Sequence, residues 1–277
     1  MKKQFLLSLL AGYLFSIATA CSNTSPSSES GSLPGTPATT SDPVEKAQSC
    51  TLQSSSMGSG TFRTESAYSY EGQNLKQIIS KRGEKTFTTL FTYDPQGRLD
   101  SVRSLPGESF FRYVYAPDGK LQEINAGGSY MPRQFSYNDK GQIVKQQTLF
   151  NNKVYTTMEY QYNKAGLPVE VKVSDRDGQA EYSVKFSYDD KLNPALHTSA
   201  IFNVFEMFYG YPVGNAANNV VEAVTTWHRK TAWTTNGKHM EAGMENKLVH
   251  SYTYNEQGYP ITARQKDEGA GWVYTCR

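Results

Sequence analysis

FTYDPQGRLDSV, residues 91–102, decides how the whole chain is read, because close variants of it return at regular intervals. YVYAPDGKLQEI follows at 113–124, FSYNDKGQIVKQ at 135–146 and YQYNKAGLPVEV at 160–171. YSYEGQNLKQI at 68–78 comes before it, and FSYDDKLNPAL at 186–196 and YTYNEQGYPITA at 252–263 complete the set. Aligned on the second aromatic, Tyr70, Tyr93, Tyr115, Tyr137, Tyr162 and Tyr188 stand 23, 22, 22, 25 and 26 residues apart. A fixed period of this size marks a repeat architecture, in which each copy is one supersecondary unit.

The consensus is aromatic-x-Tyr-(Asp/Asn)-x-x-Gly-x-aliphatic, and each position has a physical reading. Residues two apart on a strand share a face, so the aromatic and the Tyr pack on one side. Asp94, Asn138, Asn163 and Asn255 stand where a side chain can bond its own backbone and start a turn. Gly97, Gly119, Gly141, Gly166 and Gly258 supply the positive φ that closes it, and Asn74 takes that place in the first copy. Each copy therefore predicts a β-hairpin with a short bulged turn. A period near 22 residues holds two strands and two short connections.

The alternation extends into the partner strands. In TTMEYQY, Met158, Tyr160 and Tyr162 share one face while Thr157, Glu159 and Gln161 share the other. The expected fold is all-β: an antiparallel up-and-down meander of repeated hairpins that buries its aromatic face by curling into an open or closed barrel. One interruption stands out, ALHTSAIFNVFEMFYGYP between the sixth and seventh copies. Ile201, Val204, Phe205, Phe208 and Tyr209 fall at helical spacing, which predicts one short helix near 198–209. NNVVEAVTTW then returns to a strand.

The N-terminus reads as a processing signal. Lys2 and Lys3 precede the apolar run Phe5 to Ile17 and the small-residue stretch Ala18-Thr19-Ala20-Cys21. The run is shorter than the roughly 20 residues a spanning helix needs, so a cleaved signal peptide is expected over 1–20. The cysteine after the small residues resembles the lipobox of bacterial lipoproteins, with Ala18 where leucine is more usual. That resemblance implies cleavage before Cys21, acylation of its thiol and a membrane-lipid anchor; Ser22 in the following position implies the outer membrane. Residues 21–49 form the tether: 18 of the 28 positions after Cys21 are Ser, Thr, Pro or Gly, too little apolar surface to offset ordering entropy. As a flexible coil they reach roughly 30 Å. The folded domain is expected over 50–277.

Removing the signal changes the charge. The whole chain is +2, from 28 basic and 26 acidic residues; without Lys2 and Lys3 the balance is 26 against 26. A neutral domain with no block of like charges excludes nucleic acid as an expected partner. Removing Cys21 to lipid leaves Cys50 and Cys276, at the two ends of the domain, and export predicts a disulfide between them.

The residues of catalysis are sparse. His228, His239 and His250 are spaced too widely for a local metal motif, so no metal or cofactor is expected. Asp189 and Asp190 point to opposite faces of a strand or sit in a turn, a poor acid–base pair. No phosphate loop, dinucleotide fingerprint or G-x-S-x-G appears, and no enzymatic activity is expected.

The signal, the repeated unit, the phrase Tyr188-Asp189-Asp190-Lys191-Leu192-Asn193-Pro194 and the later Asn218-Asn219 resemble an envelope-lipoprotein family of unknown function in Bacteroides-type bacteria. The resemblance covers about residues 50–277 and implies a porin-like fold without an enzymatic activity. Single copies also resemble the tyrosine-aspartate repeats of large Rhs-type shells, which this chain is too short to form. The polar non-aromatic face argues against a barrel that itself spans a membrane. Binding is the function class that survives. Tyr209, Tyr211, Trp227 and Trp233 lie in or beside the non-repeat insertion and are the candidate ligand-binding residues, for a glycan or an envelope protein. The bland reading of the same rings is core packing of a cap. The other class is a structural envelope or assembly component without a small-molecule ligand, on the periplasmic or surface face.

Overall fold

A computed structural model of the chain describes residues 50–60, 63–107, 110–127, 131–193, 218–231, 234–235, 238–265 and 268–276. The expected helix near 198–209 and the expected signal and tether lie outside the described residues. The strands are β1 (Cys50–Gly58), β2 (Thr64–Glu71), β3 (Asn74–Arg82), β4 (Lys85–Tyr93), β5 (Leu99–Leu105), β6 (Phe110–Tyr115), β7 (Leu121–Gly127), β8 (Arg133–Tyr137), β9 (Ile143–Phe150) and β10 (Lys153–Tyr162). They continue as β11 (Pro168–Asp175), β12 (Ala180–Leu192), β13 (Asn218–Trp227), β14 (Thr234–Thr235), β15 (Lys238–His239), β16 (Glu245–Val249), β17 (Ser251–Tyr254), β18 (Pro260–Gln265) and β19 (Glu268–Cys276).

All but the small β14–β15 hairpin belong to one 17-stranded antiparallel sheet. Each strand from β1 to β13 pairs with its sequence neighbour, as the repeat predicts. β16 and β17 are two halves of one run broken at His250: the first half pairs with β13, the second with β18. β18 pairs with β19, and β19 returns to β1 with Cys50 opposite Cys276. The result is a nearly closed barrel, with a seam at His250.

Five of the copies, those with Gly97, Gly119, Gly141, Gly166 and Gly258, build their turn in the same way, whereas the first copy turns at Gly72, φ 61°, so Asn74 opens β3 instead of taking the positive φ expected of it. In the second copy the Gly97 N–H donates to the Asp94 carbonyl, and the Asp94 N–H to the Arg98 carbonyl. The Asp94 carboxylate takes the N–H groups of Gln96 and Arg98. Gly97 sits at φ 75°, where a Cβ would be strained. The pairing register then slips by one residue just before the Tyr, at Thr92/Tyr93, Val114/Tyr115, Ser136/Tyr137 and Gln161/Tyr162 alike. A bulge repeated at the same place in successive hairpins adds twist each time and bends the meander into a curve.

The bulge also explains the invariant tyrosine position. The Tyr93 hydroxyl donates to the Leu75 carbonyl at 2.8 Å, Tyr115 to Leu99 at 2.8 Å, Tyr137 to Leu121 at 2.7 Å and Tyr162 to Ile143 at 2.6 Å. Tyr70 to Leu52, Tyr188 to Pro168, Tyr252 to Val220 and Tyr274 to Pro260 extend the series round the ring. Each phenol thus reaches across to the bulged start of an earlier strand and holds its carbonyl. The preceding aromatic of each of the first six copies fills the interior: Tyr68, Phe91, Tyr113, Phe135, Tyr160 and Phe186 are all buried. They join two core clusters, one around Leu75, Ile78, Ile124 and Trp272, the other around Val171, Val173 and Val184. The barrel interior is therefore packed with side chains.

Much of the outer wall is charged and ion-paired. Lys145 faces Glu159, Lys172 lies beside Glu170, and Lys247 bonds Glu222 on strands whose neighbouring residues point into the core. In a lipid-facing band charges of this kind cost up to about 2–4 kcal/mol each, so this wall suits water.

Three measurements check this construction. Burial pushes the phenols of Tyr137 and Tyr162 up to about 12. A phenol held neutral by the fold contributes its stability in full below about pH 10, the unfolded value, and loses it as pH rises toward the folded one. Phenolate absorbance should thus appear near pH 12 in one step with unfolding, and Tyr115→Phe, which leaves the Leu99 carbonyl bare, should cost about 1–3 kcal/mol. The Cys50–Cys276 disulfide closes a sequence separation of 226 residues. Its reduction should lower stability by on the order of 5 kcal/mol, read as a drop in the denaturant midpoint.

Candidate functional site

The meander leaves its repeat at two places, and both are held by charged side chains. At the rim that carries the Tyr-Asp turns, here the upper rim, β12 ends where the sixth hairpin should turn. Leu192 occupies the slot that glycine fills in other copies, so the four-residue turn does not close there. The chain comes back only at β13, and Asp189 bridges the gap. Its carboxylate accepts the Lys191 N–H at 3.0 Å, as a turn aspartate does with the residue two ahead. The second backbone donor is the Asn219 N–H at 3.1 Å, thirty residues on. Asn219 Nδ2 adds contacts at 3.1 and 3.3 Å, and the Tyr254 hydroxyl donates to the same carboxylate.

This cluster changes the role of the seventh copy. The alignment of repeats puts Tyr254 in the position that should hold a backbone carbonyl; Tyr252 does that instead, on Val220 at 2.8 Å. Burial, together with the Asp189 carboxylate, pushes the Tyr254 phenol well above its ordinary range. With its lone pairs committed to four donors, Asp189 anchors the excursion rather than acting as a base. Asp190 points away, exposed, toward Lys191 at 3.4 Å, so the two carboxylates diverge as their sequence positions suggest.

The second departure lies at the opposite, lower rim, after β13. Trp227, a candidate ligand-binding residue, is 7% exposed and packs at a tilt against Tyr182 with ring centroids 4.8 Å apart. Its ring serves the core there rather than offering a face to a ligand, which is the cap-packing alternative. Tyr209, Tyr211 and Trp233, the other candidates, lie outside the described residues, as does Cys21. Arg229 bonds both Asp175 and Glu181 at 2.7 Å, tying this segment to the β11–β12 hairpin. His228 Nε2 lies 3.0 Å from Ser183 Oγ, but the serine is 5% exposed beneath the ring, closed to a substrate carbonyl. Among the described residues no three His, Cys, Asp or Glu gather as a metal site.

Two open hollows line the upper half of the barrel. One, of about 370 Å³, is walled by Asp94, Arg98, Asp100, Arg112 and Tyr115. Two of its charges satisfy one another: Arg98 bonds Asp94 at 2.7 Å and lies 4.3 Å over the Tyr115 ring. The second, about 360 Å³, repeats the arrangement between Asn138 and Asn163. Both follow from the repeat and neither is enclosed.

No protein-family description matches this chain, and no curated protein is similar to it in sequence. Among solved structures it is similar to a porin-like protein from Bacteroides uniformis, with a TM-score of 0.51 over 82% of this chain and 98% of that one, at 11% identity. The fold is porin-like. A porin-like protein from Bacteroides vulgatus aligns over 82% and 99% of the two chains at 11% identity and a TM-score of 0.37. The Photorhabdus luminescens Tc holotoxin pore aligns over 78% of this chain and 10% of that one, at 11% identity and a TM-score of 0.33. In the present chain the porin-like barrel has a filled interior.

The sequence signal that local reading passes over is Leu192 in the glycine slot, which marks a hairpin that does not close; Asn219 on the returning strand supplies donors to Asp189 there. The Asp189 anchor has a direct test. In a double-mutant cycle of Asp189→Ala and Tyr254→Phe, chemical denaturation should show each single change destabilising by about 1–3 kcal/mol and a clear coupling between them. Additive effects would mean that the phenol and the carboxylate do not work as a unit.

Proposed function

We propose that this chain is a lipid-anchored cell-envelope protein, cut before Cys21 and acylated there, which works by binding a glycan or a protein rather than by catalysis. The observation that carries the reading is the Cys50–Cys276 disulfide. Such a bond persists in oxidising compartments outside the cytoplasm, which agrees with the export signal ahead of it. It also lies where the tether would join the barrel, so the anchored end is the covalently closed end. The porin-like barrel supports an envelope setting, and its packed interior supports a surface rather than a channel as the working part.

On this reading the ligand is gripped by the excursion between β12 and β13, which carries Tyr209 and Tyr211, or by Trp233. Trp227 drops out of the candidate set because its ring is buried. A structural envelope component is the second reading, favoured by the ion-paired outer wall, and it places the interaction on that polar face.

Metabolic labelling with a fatty-acid probe tests the anchor: the wild type should incorporate label and fractionate with membranes, and Cys21→Ser should lose both. An unlabelled wild type would end the lipid-anchor reading. A glycan array comparing wild type with Tyr209→Ala and Trp233→Ala separates a glycan binder from a structural component.

A further inference from the structure

The mature chain is electrically balanced, yet its charges are not evenly placed. At the lower rim, the hairpin ends from β2 to β10 carry Arg63, Lys81, Arg82, Lys85, Arg103 and Lys153. Only Glu65 and Glu84 stand against them among the described residues of those ends. Lys81, Lys85, Arg103 and Lys153 make no ion pair among the described residues, and Arg63 meets Glu65 only at 3.7 Å. The rest of the same rim differs: Arg229 is bound to Asp175 and Glu181, and Lys230 to Glu241.

Large apolar side chains gather on the same basic sector. Phe87, Leu105, Phe110, Phe150 and Tyr155 are each 37–46% exposed, and the Phe150 and Tyr155 rings lie 6.2 Å apart. Leu105 and Phe110 flank the β5–β6 connection on the outer wall, with Arg103 directly opposite Phe110. Exposed aromatics and unpaired cations on one rim suit a surface that is anionic at its face and apolar just beneath.

We propose that this sector of the lower rim docks on an anionic lipid surface. The proposal rests on the envelope reading for one point only, that a membrane lies within reach. The 28 residues between Cys21 and Cys50 span at most about 90–100 Å when extended. A nine-residue strand such as β1 covers only about 30 Å. A chain anchored at Cys21 can therefore turn its lower rim to the same membrane, although the tether leaves from the upper one.

The test uses the chain from residue 22 onward, without the lipid anchor; the described strands close on one another within 50–276, so the barrel is kept. Co-sedimentation is measured with vesicles of phosphatidylethanolamine and phosphatidylglycerol, and with phosphatidylcholine alone. Binding should appear on the anionic vesicles and weaken with added salt. Each cation lost should cost about fivefold, so Lys81→Glu with Lys85→Glu should weaken binding at least about 25-fold. Leu105→Ser with Phe110→Ser should also weaken it, while Lys140→Glu with Lys164→Glu at the upper rim should leave it unchanged. Equal binding to both vesicles, none to either, or an equal loss with the upper-rim pair overturns the proposal. So does a dimer in solution that the Leu105 and Phe110 changes dissolve without any vesicle binding, since a second copy would then own the patch. Fatty-acid labelling at Cys21 is untouched by any of these results, so the anchor and the rim fail separately.

Discussion

The bond from each tyrosine hydroxyl to a carbonyl on an earlier strand is the interaction on which the barrel depends. A bulge placed at every hairpin gives the sheet its curvature, but it displaces the backbone ladder at the same spot. A buried carbonyl left without a donor costs about 1–3 kcal/mol, and a meander of many hairpins would accumulate that cost. The phenol removes it and at the same time links each hairpin to the one before. Curvature and cohesion thus come from one short motif: the Asp or Asn and Gly make the bulged turn, and the Tyr secures its consequence one repeat later.

Much of this was legible in the sequence because the constraint is local and recurs. The aromatic-x-Tyr pair, the turn residue and the glycine all lie within seven positions, so the hairpins and their inward face could be read from spacing alone. The tyrosine's acceptor could not, since it depends on how neighbouring hairpins align. Tyr274 shows the limit well: it makes the same bond, to Pro260, although Thr275 stands in the Asp or Asn position after it. Tyr254 shows the converse, matching the consensus while bonding a side chain instead.

Asp189 and Trp227 have roles that local pattern does not fix, for physical reasons of the same kind. Asp189 looks like any turn residue until Leu192 is seen in the slot after it, and its partner Asn219 lies across an insertion whose return point no local pattern fixes. Trp227 drew attention as a tryptophan beside a non-repeat segment, but strand alternation puts it on the same inward face as Ala223. The Cys50–Cys276 pairing was readable because, with Cys21 set aside as an expected lipid site, the two cysteines left stand at the two ends of the domain.

That return has a bearing on when the chain can fold. β1 is among the earliest parts of the domain to be synthesised, and one of its two neighbours, β19, is the last. Until residues near 276 have been made, β1 has an unfilled edge and the ring has a gap, whatever the middle hairpins have achieved. Contacts so distant in sequence form slowly, and late. A barrel whose first strand waits for its last stays open at β1 while all the strands between them are being made.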